Sequence, residues 1–304
     1  MENLDAALLR ALQADGRATF SDLAKTHGAS RSAVAARVNH LLGSGEISVL
    51  AAVHPRVLGL EAQAHLSIRV SGDTSPAARC LDAIEATVYI SETTGSHQLV
   101  AEIRTTGIPS LYSIISAVRA AEGVLDVEVL IYERIIRSFF LGEEPQLSGL
   151  SLDDADIIIM DILQRDGRAG FAELAAAAGL SVSACRTRVL RLFEANVMRV
   201  GAVRRRDGAS GDVLFGIGLA VKGDPTSVVD VLTQLEGAEF VVRTVGRFSV
   251  VATLCAPSMA EYSRIASELR SLPGVVLAET WVHTRILLEQ YERSLEPLVA
   301  GIGS

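Results

Sequence analysis

Cysteine is scarce in this sequence. Only Cys80, Cys185 and Cys255 occur, odd in number, far apart and never as C-x-x-C. That excludes a disulfide framework and a zinc site and leaves all three as expected small core residues. Also missing is an excess of basic charge: 28 Lys and Arg stand against 36 Asp and Glu, a net charge of −8. Any binding to nucleic acid therefore has to come from local patches. No apolar run approaches the roughly 20 residues of a membrane span, and Met1-Glu2-Asn3-Leu4-Asp5 has no basic segment leading into an apolar stretch. The expectation is a cytoplasmic protein with no membrane partner. The strings G-x-S-x-G, H-E-x-x-H and the P-loop are absent too, so no catalytic residue, metal or cofactor is assigned. What is there is a chain of 304 residues, 49% hydrophobic and 21% charged, too apolar for disorder and long enough for about two domains.

The dominant feature is an internal repeat. An offset of 151 residues lays Leu12 to Ala24 (LQADGRATFSDLA) over Leu163 to Ala175 (LQRDGRAGFAELA) with nine identities in thirteen positions. The same offset pairs Ser30 with Ser181, Arg37 with Arg188, Gly95 with Gly246, Gly123 with Gly274 and Glu128 with Glu279. A period this long marks a duplicated domain pair, since solenoid units run to about 20 to 50 residues. The joint at residues 141–151 (LGEEPQLSGLS) is rich in Pro, Gly, Ser and Glu, as a linker is.

Each copy opens with three short helical segments. Leu8, Leu9 and Leu12, matched by Ile159, Met160 and Leu163, form an apolar stripe, and Asp15-Gly16 or Asp166-Gly167 supplies an expected left-handed stop. Ser21 to His27 and Ala172 to Ala178 form a second helix ending at Gly28 or Gly179; Ser30 or Ser181 can cap a third. Helix, tight turn and capped helix make a helix-turn-helix. On the third helix Val34, Val38, Leu41 and Leu42, or Cys185, Val189, Leu192 and Phe193, commit one face to a core. The other face carries Ser30, Arg31, Ser32, Arg37, Asn39 and His40 in the first copy, and Ser181, Ser183, Arg186, Arg188 and Arg191 in the second. No acidic residue interrupts either face. Arg pairs with guanine edges and phosphates, and Ser and Asn add shorter hydrogen bonds, which are the groups a major-groove helix uses. These residues are the candidate contacts to double-stranded DNA. Ala35 and His40 stand where the second copy has Arg186 and Arg191, so unequal half-site reading is expected. An extended stretch follows, Ile47 to Val53 or Met198 to Val203, as a small wing or linker strand; Arg204, Arg205 and Arg206 then form a candidate phosphate grip.

The remainder of each copy alternates as β-α-β-β-α-β: Ala64 to Val70, Pro76 to Glu85, Thr87 to Thr93, Gln98 to Thr105, Pro109 to Ala121 and Val124 to Tyr132. In the second copy the segments are Val213 to Val221, Thr226 to Leu235, Phe240 to Val245, Ser249 to Cys255, Ser258 to Leu272 and Val275 to Leu287. A ferredoxin-like sandwich leaves one sheet face uncovered, and two copies can supply that cover to each other. The expected fold class is α+β, a tandem repeat of winged helix-turn-helix plus ferredoxin-like sandwich. The expected domains are residues 1–55, 60–140, 152–206 and 212–293, with the linker at 141–151.

Leu12-Gln13-x-Asp15-Gly16-Arg17, Ser30-x-Ser32-Ala33-Val34-x-x-Arg37-Val38-x-x-Leu41, Thr93-Thr94-Gly95 and Gly123-Val124, each with a second-copy counterpart, resemble the Lrp/AsnC (feast/famine) regulators over nearly the whole chain. That resemblance implies a DNA-binding transcription regulator whose sandwiches (the RAM domains) pair sheet to sheet and bind a small effector, often an amino acid. Here one chain is expected to mimic a dimer and to associate into further homo-oligomers. The effector residues implied are Thr94, Gly95, Ser96, His97 and Gln98 in one turn, and Gly246, Arg247, Phe248 and Ser249 in the other. The family's G-x-Y-D turn is replaced by Gly95-Ser96-His97-Gln98 and Gly246-Arg247-Phe248-Ser249. The missing acid argues against a standard amino acid bound in the usual way and leaves a different ligand or none. Two alternatives are a siroheme-decarboxylase-like enzyme of the same architecture, for which His97 is the one tempting residue, and a helix-turn-helix kept only for assembly.

Overall fold

A computed structural model describes residues 4–138, 144–204 and 212–302. In chain order the first copy runs α1 (Leu4–Ala14), α2 (Phe20–His27), α3 (Arg31–Gly43), β1 (Ile47–Val53), β2 (Ala62–Val70), α4 (Ser75–Asp82), β3 (Thr87–Thr93), β4 (Leu99–Thr105), α5 (Ile108–Arg119) and β5 (Val124–Arg137). The second runs α6 (Asp154–Arg165), α7 (Phe171–Ala177), α8 (Val182–Glu194), β6 (Met198–Arg204), β7 (Val213–Val221), α9 (Thr226–Gln234), β8 (Ala238–Val245), β9 (Val250–Ala256), α10 (Met259–Arg270) and β10 (Val275–Glu289). A helix not anticipated from the sequence, α11 (Glu296–Ile302), ends the chain. The chain divides into two compact units, each drawing on both copies: the described parts of residues 1–58, 139–205 and 291–304, and those of residues 59–138 and 206–290.

The first unit holds both helix-turn-helix copies. Leu8, Leu12, Ile159, Met160 and Leu163 are fully buried, as their stripe requires. Gly28 and Gly179 adopt left-handed φ values of 63° and 66° after the second helices, the conformation a side chain would strain. Asp15-Gly16 and Asp166-Gly167 act differently from expectation, because neither glycine takes a positive φ. They are needed for close approach instead. A Cβ on Gly16 would lie 2.8 Å from Val200 Cγ1, and one on Gly167 would lie 2.6 Å from the same atom. The Gly16 N–H donates to the Val200 carbonyl at 3.0 Å, and that of Gly167 to Val49 at 2.8 Å. The expected wing is also built differently: β1 pairs antiparallel with β6, from Ile47 opposite Arg204 to Val53 opposite Met198. Each copy contributes one strand to a shared ribbon. The linker after the first copy returns to this unit, with the Gln146 N–H donating to Ala195 O at 2.9 Å.

The second unit is a closed antiparallel barrel in the order β10-β3-β4-β2-β5-β8-β9-β7. Each copy supplies four consecutive strands, with its helices packed on the outer face over Leu66, Ile68, Leu99 and Ile103, or over Phe215, Ile217, Leu219 and Leu254. The inner face buries Leu130, Val242, Phe248 and Val251. Strands β5 and β10 run past the expected ends at Tyr132 and Leu287. Their extra residues find partners in the other copy, Arg134 opposite Arg243 and Glu289 opposite Tyr89. Of the cysteines only Cys185 is buried; Cys80 and Cys255 are half-exposed, Cys80 lying beside the buried Leu81 of α4 and Cys255 alternating on β9 with the outer-core residues Leu254 and Ala256. Among the described residues no helix is long and apolar enough to cross a membrane.

Candidate nucleic-acid interface and sandwich turns

The third helix of each copy, α3 and α8, is capped as expected. Ser30 Oγ accepts from Ala33 N at 3.1 Å, and Ser181 Oγ accepts from Ala184 N at 3.2 Å. Arg31, Ser32, Asn39 and His40 are exposed on α3, as are Ser183 and Arg186 on α8. The arginines divide into two groups. Arg37 is bonded through Nε and Nη2 to the Asp5 carboxylate of α1. Its counterpart Arg188 reaches Asp153 at 2.7 Å and Asp156 at 3.1 Å, and Arg191 bonds Asp156 as well. Asp5 and Asp156 are themselves one repeat apart. Hydrogen bonds from Arg37 and Arg188 hold the Asp5 and Asp153 carboxyls below the usual carboxylate range. With Asp156 only 1% exposed, these pairs are struts between the first and third helices, and charge on the third helix is partly neutralised by groups outside it. Arg186 keeps a freer guanidinium, 5.9 Å from the Phe171 ring. His40 lies 3.9 Å from Glu46. Arg204 ends β6 at an exposed position, and Arg205 and Arg206 lie outside the described residues.

A second set of arginines was legible only as part of the D-G-R string. Arg17 donates through Nη1 to Gly167 O at 2.7 Å and through Nη2 to Ala169 O at 3.0 Å. Arg168 returns the same bonds to Gly16 O at 2.7 Å and Ala18 O at 3.3 Å. Each guanidinium also lies over the other copy's phenylalanine, Arg17 over Phe171 at 5.0 Å and Arg168 over Phe20 at 5.3 Å. This reciprocal clamp joins the two helix-turn-helix copies directly.

In the barrel the two turns dock on the opposite copy's last strand. Thr94 N donates to Val282 O, and Val282 N donates to Thr94 Oγ1, both at 3.0 Å. Gly246 lies so close to β5 that a Cβ would meet Leu130 Cδ2 at 2.6 Å. Phe248, only 4% exposed, packs on Gly218, where a Cβ would come within 2.4 Å of its ring. Gln98 Oε1 and Ser249 Oγ stand at the place of the family's acid. Each accepts one backbone N–H, from Val70 and Val221 respectively, at 3.1 Å. Neutral groups thus order both turns. Ionic chemistry comes from neighbours: His97 Nε2 is 3.8 Å from Glu128, and Arg247 bridges Glu128, at 3.4 Å, to Glu279. Ser96 Oγ meets His97 Nδ1 at 3.1 Å. On the inner face His65 is buried, bonded to Ser67 at 3.1 Å and 5.6 Å from the Trp281 ring. Burial, with a smaller push from His97, lowers its pKa to about 4.

Two capped helix-turn-helix copies bonded to each other, together with two ferredoxin-like sheets, define a duplicated helix-turn-helix protein. Residues 1–42 and 152–192 both match the AsnC-type helix-turn-helix domain. The regulator FL11 of Pyrococcus furiosus is 29% identical over 137 residues, 44% of this chain and 91% of its own length. The regulator LrpA of Mycobacterium tuberculosis is 39% identical over 89 residues, 29% of this chain and 59% of its own length. Each copy thus carries an AsnC-type helix-turn-helix domain, and the chain is similar to Lrp/AsnC regulators. In fold it is also similar end to end to the siroheme decarboxylase NirDL, with a TM-score of 0.66, 16% identity, and coverage of 99% of this chain and 100% of that one.

Proposed function

We propose that the protein is a sequence-specific transcription regulator that binds double-stranded DNA through α3 and α8. The observation that carries this is the pair of AsnC-type helix-turn-helix domains whose third helices leave Arg31, Ser32, Asn39, His40, Ser183 and Arg186 exposed. Ser30 and Ser181 fix the helix starts; Arg37, Arg188 and Arg191 act chiefly by holding the helices in place; Arg204, Arg205 and Arg206 grip phosphate. Domain boundaries at 1–55, 60–140, 152–206 and 212–293 fit this reading, as does an intrachain pseudo-dimer formed by the ribbon and the barrel. In such an arrangement the recognition helices meet successive major grooves about 34 Å apart. A small metabolite is sensed at the turns of Thr94, Gly95, Ser96, His97 and Gln98 and of Gly246, Arg247, Phe248 and Ser249, which are linked through the approach of His97 and Arg247 to Glu128. The absence of a turn carboxylate favours a ligand other than a standard amino acid.

The test is selection of bound fragments from the host genome at about physiological salt, where non-specific contacts weaken, followed by anisotropy titration of the recovered sites. A shared asymmetric two-part motif, bound more weakly by Arg31→Ala at a cost of about 1–3 kcal/mol, is the expected result. No fragment above background would overturn it. The end-to-end likeness to a siroheme decarboxylase favours one second reading, an enzyme acting on a tetrapyrrole, with His97 at the site. An ultraviolet-visible titration with iron-uroporphyrin separates the two, since the regulator reading expects no spectral shift.

A further inference from the structure

The two recognition helices offer unlike chemistry at matched positions, and this bears on what each half of the operator contains. The outward face of α3 presents Ser32, Ala36 and Asn39, with Arg31 in the first turn; the same places on α8 hold Ser183, Thr187 and Leu190, with Val182 in the first turn. Val182 is 51% exposed and Leu190 44% exposed, although α8 has a complete buried face in Cys185, Val189 and Leu192. Neither side chain is needed for the core. Thr187 Oγ1 donates back to Ser183 O at 3.1 Å, which leaves its methyl as the group available to a partner. Arg191, the basic residue in the last turn, is bonded to the buried Asp156. Thus α8 has aliphatic groups where α3 has a guanidinium and a carboxamide, and Arg186, between Val182 and Leu190 at i, i+4, i+8 spacing, is its freest cation.

In the major groove Arg recognises guanine and Asn recognises adenine by paired hydrogen bonds, whereas an aliphatic side chain has one specific partner, the C5 methyl of thymine. Resting on the DNA-binding reading above, we propose that α8 reads thymine methyl groups through Val182, Thr187 and Leu190, while α3 reads purine edges through Arg31 and Asn39. The operator then has one half specified by guanine and adenine hydrogen bonds and one half specified by thymine methyls. Arg186 anchors α8 on the neighbouring phosphates.

Replacing thymidine by deoxyuridine removes the methyl and keeps every base-pairing group. On a selected operator, deoxyuridine placed in the half contacted by α8 is expected to weaken binding about 3- to 4-fold per contacted methyl, and deoxyuridine in the other half to leave it unchanged. The loss should shrink in Val182→Ala/Leu190→Ala protein, which keeps only the Thr187 methyl of the three and whose thermal midpoint stays at the wild-type value because both replaced side chains are exposed. Leu190→Asn, which installs the α3 residue, should shift the preferred base at that position toward adenine. If wild-type protein binds its operator specifically but deoxyuridine has no effect in either half, or the same effect in the double variant, this proposal is overturned and the DNA-binding reading stands. If no fragment is bound specifically, both fall.

Discussion

His65 sets a pH limit on the barrel. It is 3% exposed, and its pKa falls from 6.5 to about 4 because burial disfavours the charged ring. Between those values the unfolded chain holds a proton that the folded chain does not, so acid favours unfolding. The stability it contributes is complete above pH 6.5 and lost as pH falls toward 4, to a total of about 3 kcal/mol. Urea titrations of the intact chain from pH 7 to 4 should show that decline, and His65→Gln should flatten it. A decline of equal slope in the variant would exclude His65 as the cause. The residue scale is also where the sequence misleads most about the interface. The third helices read as positive because no acid lies on them, yet Asp5, Asp153 and Asp156 arrive from α1 and the start of α6, 32 and 35 positions away in sequence. Only the match of Asp5 to Asp156 across the repeat carried a signal of that pairing.

At the scale of elements, what depended on local chemistry could be read in advance. The caps at Ser30 and Ser181, the glycine stops at Gly28 and Gly179, and the positive φ of 54° at Asn196 follow from side-chain and backbone preferences within a few residues. Both βαββαβ patterns did too. What depended on the other copy could not: the β1–β6 ribbon, the extensions of β5 and β10, and the real use of Gly16 and Gly167. The arginine clamp belongs to that second class and gives a direct prediction. Removing a charged donor leaves carbonyls of the other copy without partners, at about 1.5–3 kcal/mol for such bonds. Arg17→Ala and Arg168→Ala should each lower the unfolding midpoint of the helix-turn-helix unit, by similar amounts because the bonds are reciprocal. The double variant should cost less than the sum of the two, since both act on one interface. Full additivity in thermal melts would argue that the two arginines act separately.

For the whole molecule, the pairings that join the copies lie inside one chain: seven residues of β1 along β6, and a barrel whose strands all have two neighbours. A closed barrel leaves no edge strand to recruit another chain. Joining two covalently linked halves carries no dependence on concentration, in contrast to an obligate homodimer, whose apparent stability rises with protomer concentration. Denaturant midpoints of the chain are expected to coincide over a hundredfold range of protein concentration; a midpoint that climbs with concentration would locate the stabilising contacts between chains instead.

The ribbon of β1 and β6 has a further consequence. Two identical subunits related by a two-fold axis can be turned end for end without any change, so a homodimer has no left or right. Here the repeat-matched positions of the two strands carry different residues at both ends, Ile47 where the other copy has Met198 and Val53 where it has Arg204, and the molecule has a head and a tail. A protein with a fixed polarity can point along a double helix, placing one particular flank toward whatever lies upstream and the other toward whatever lies downstream.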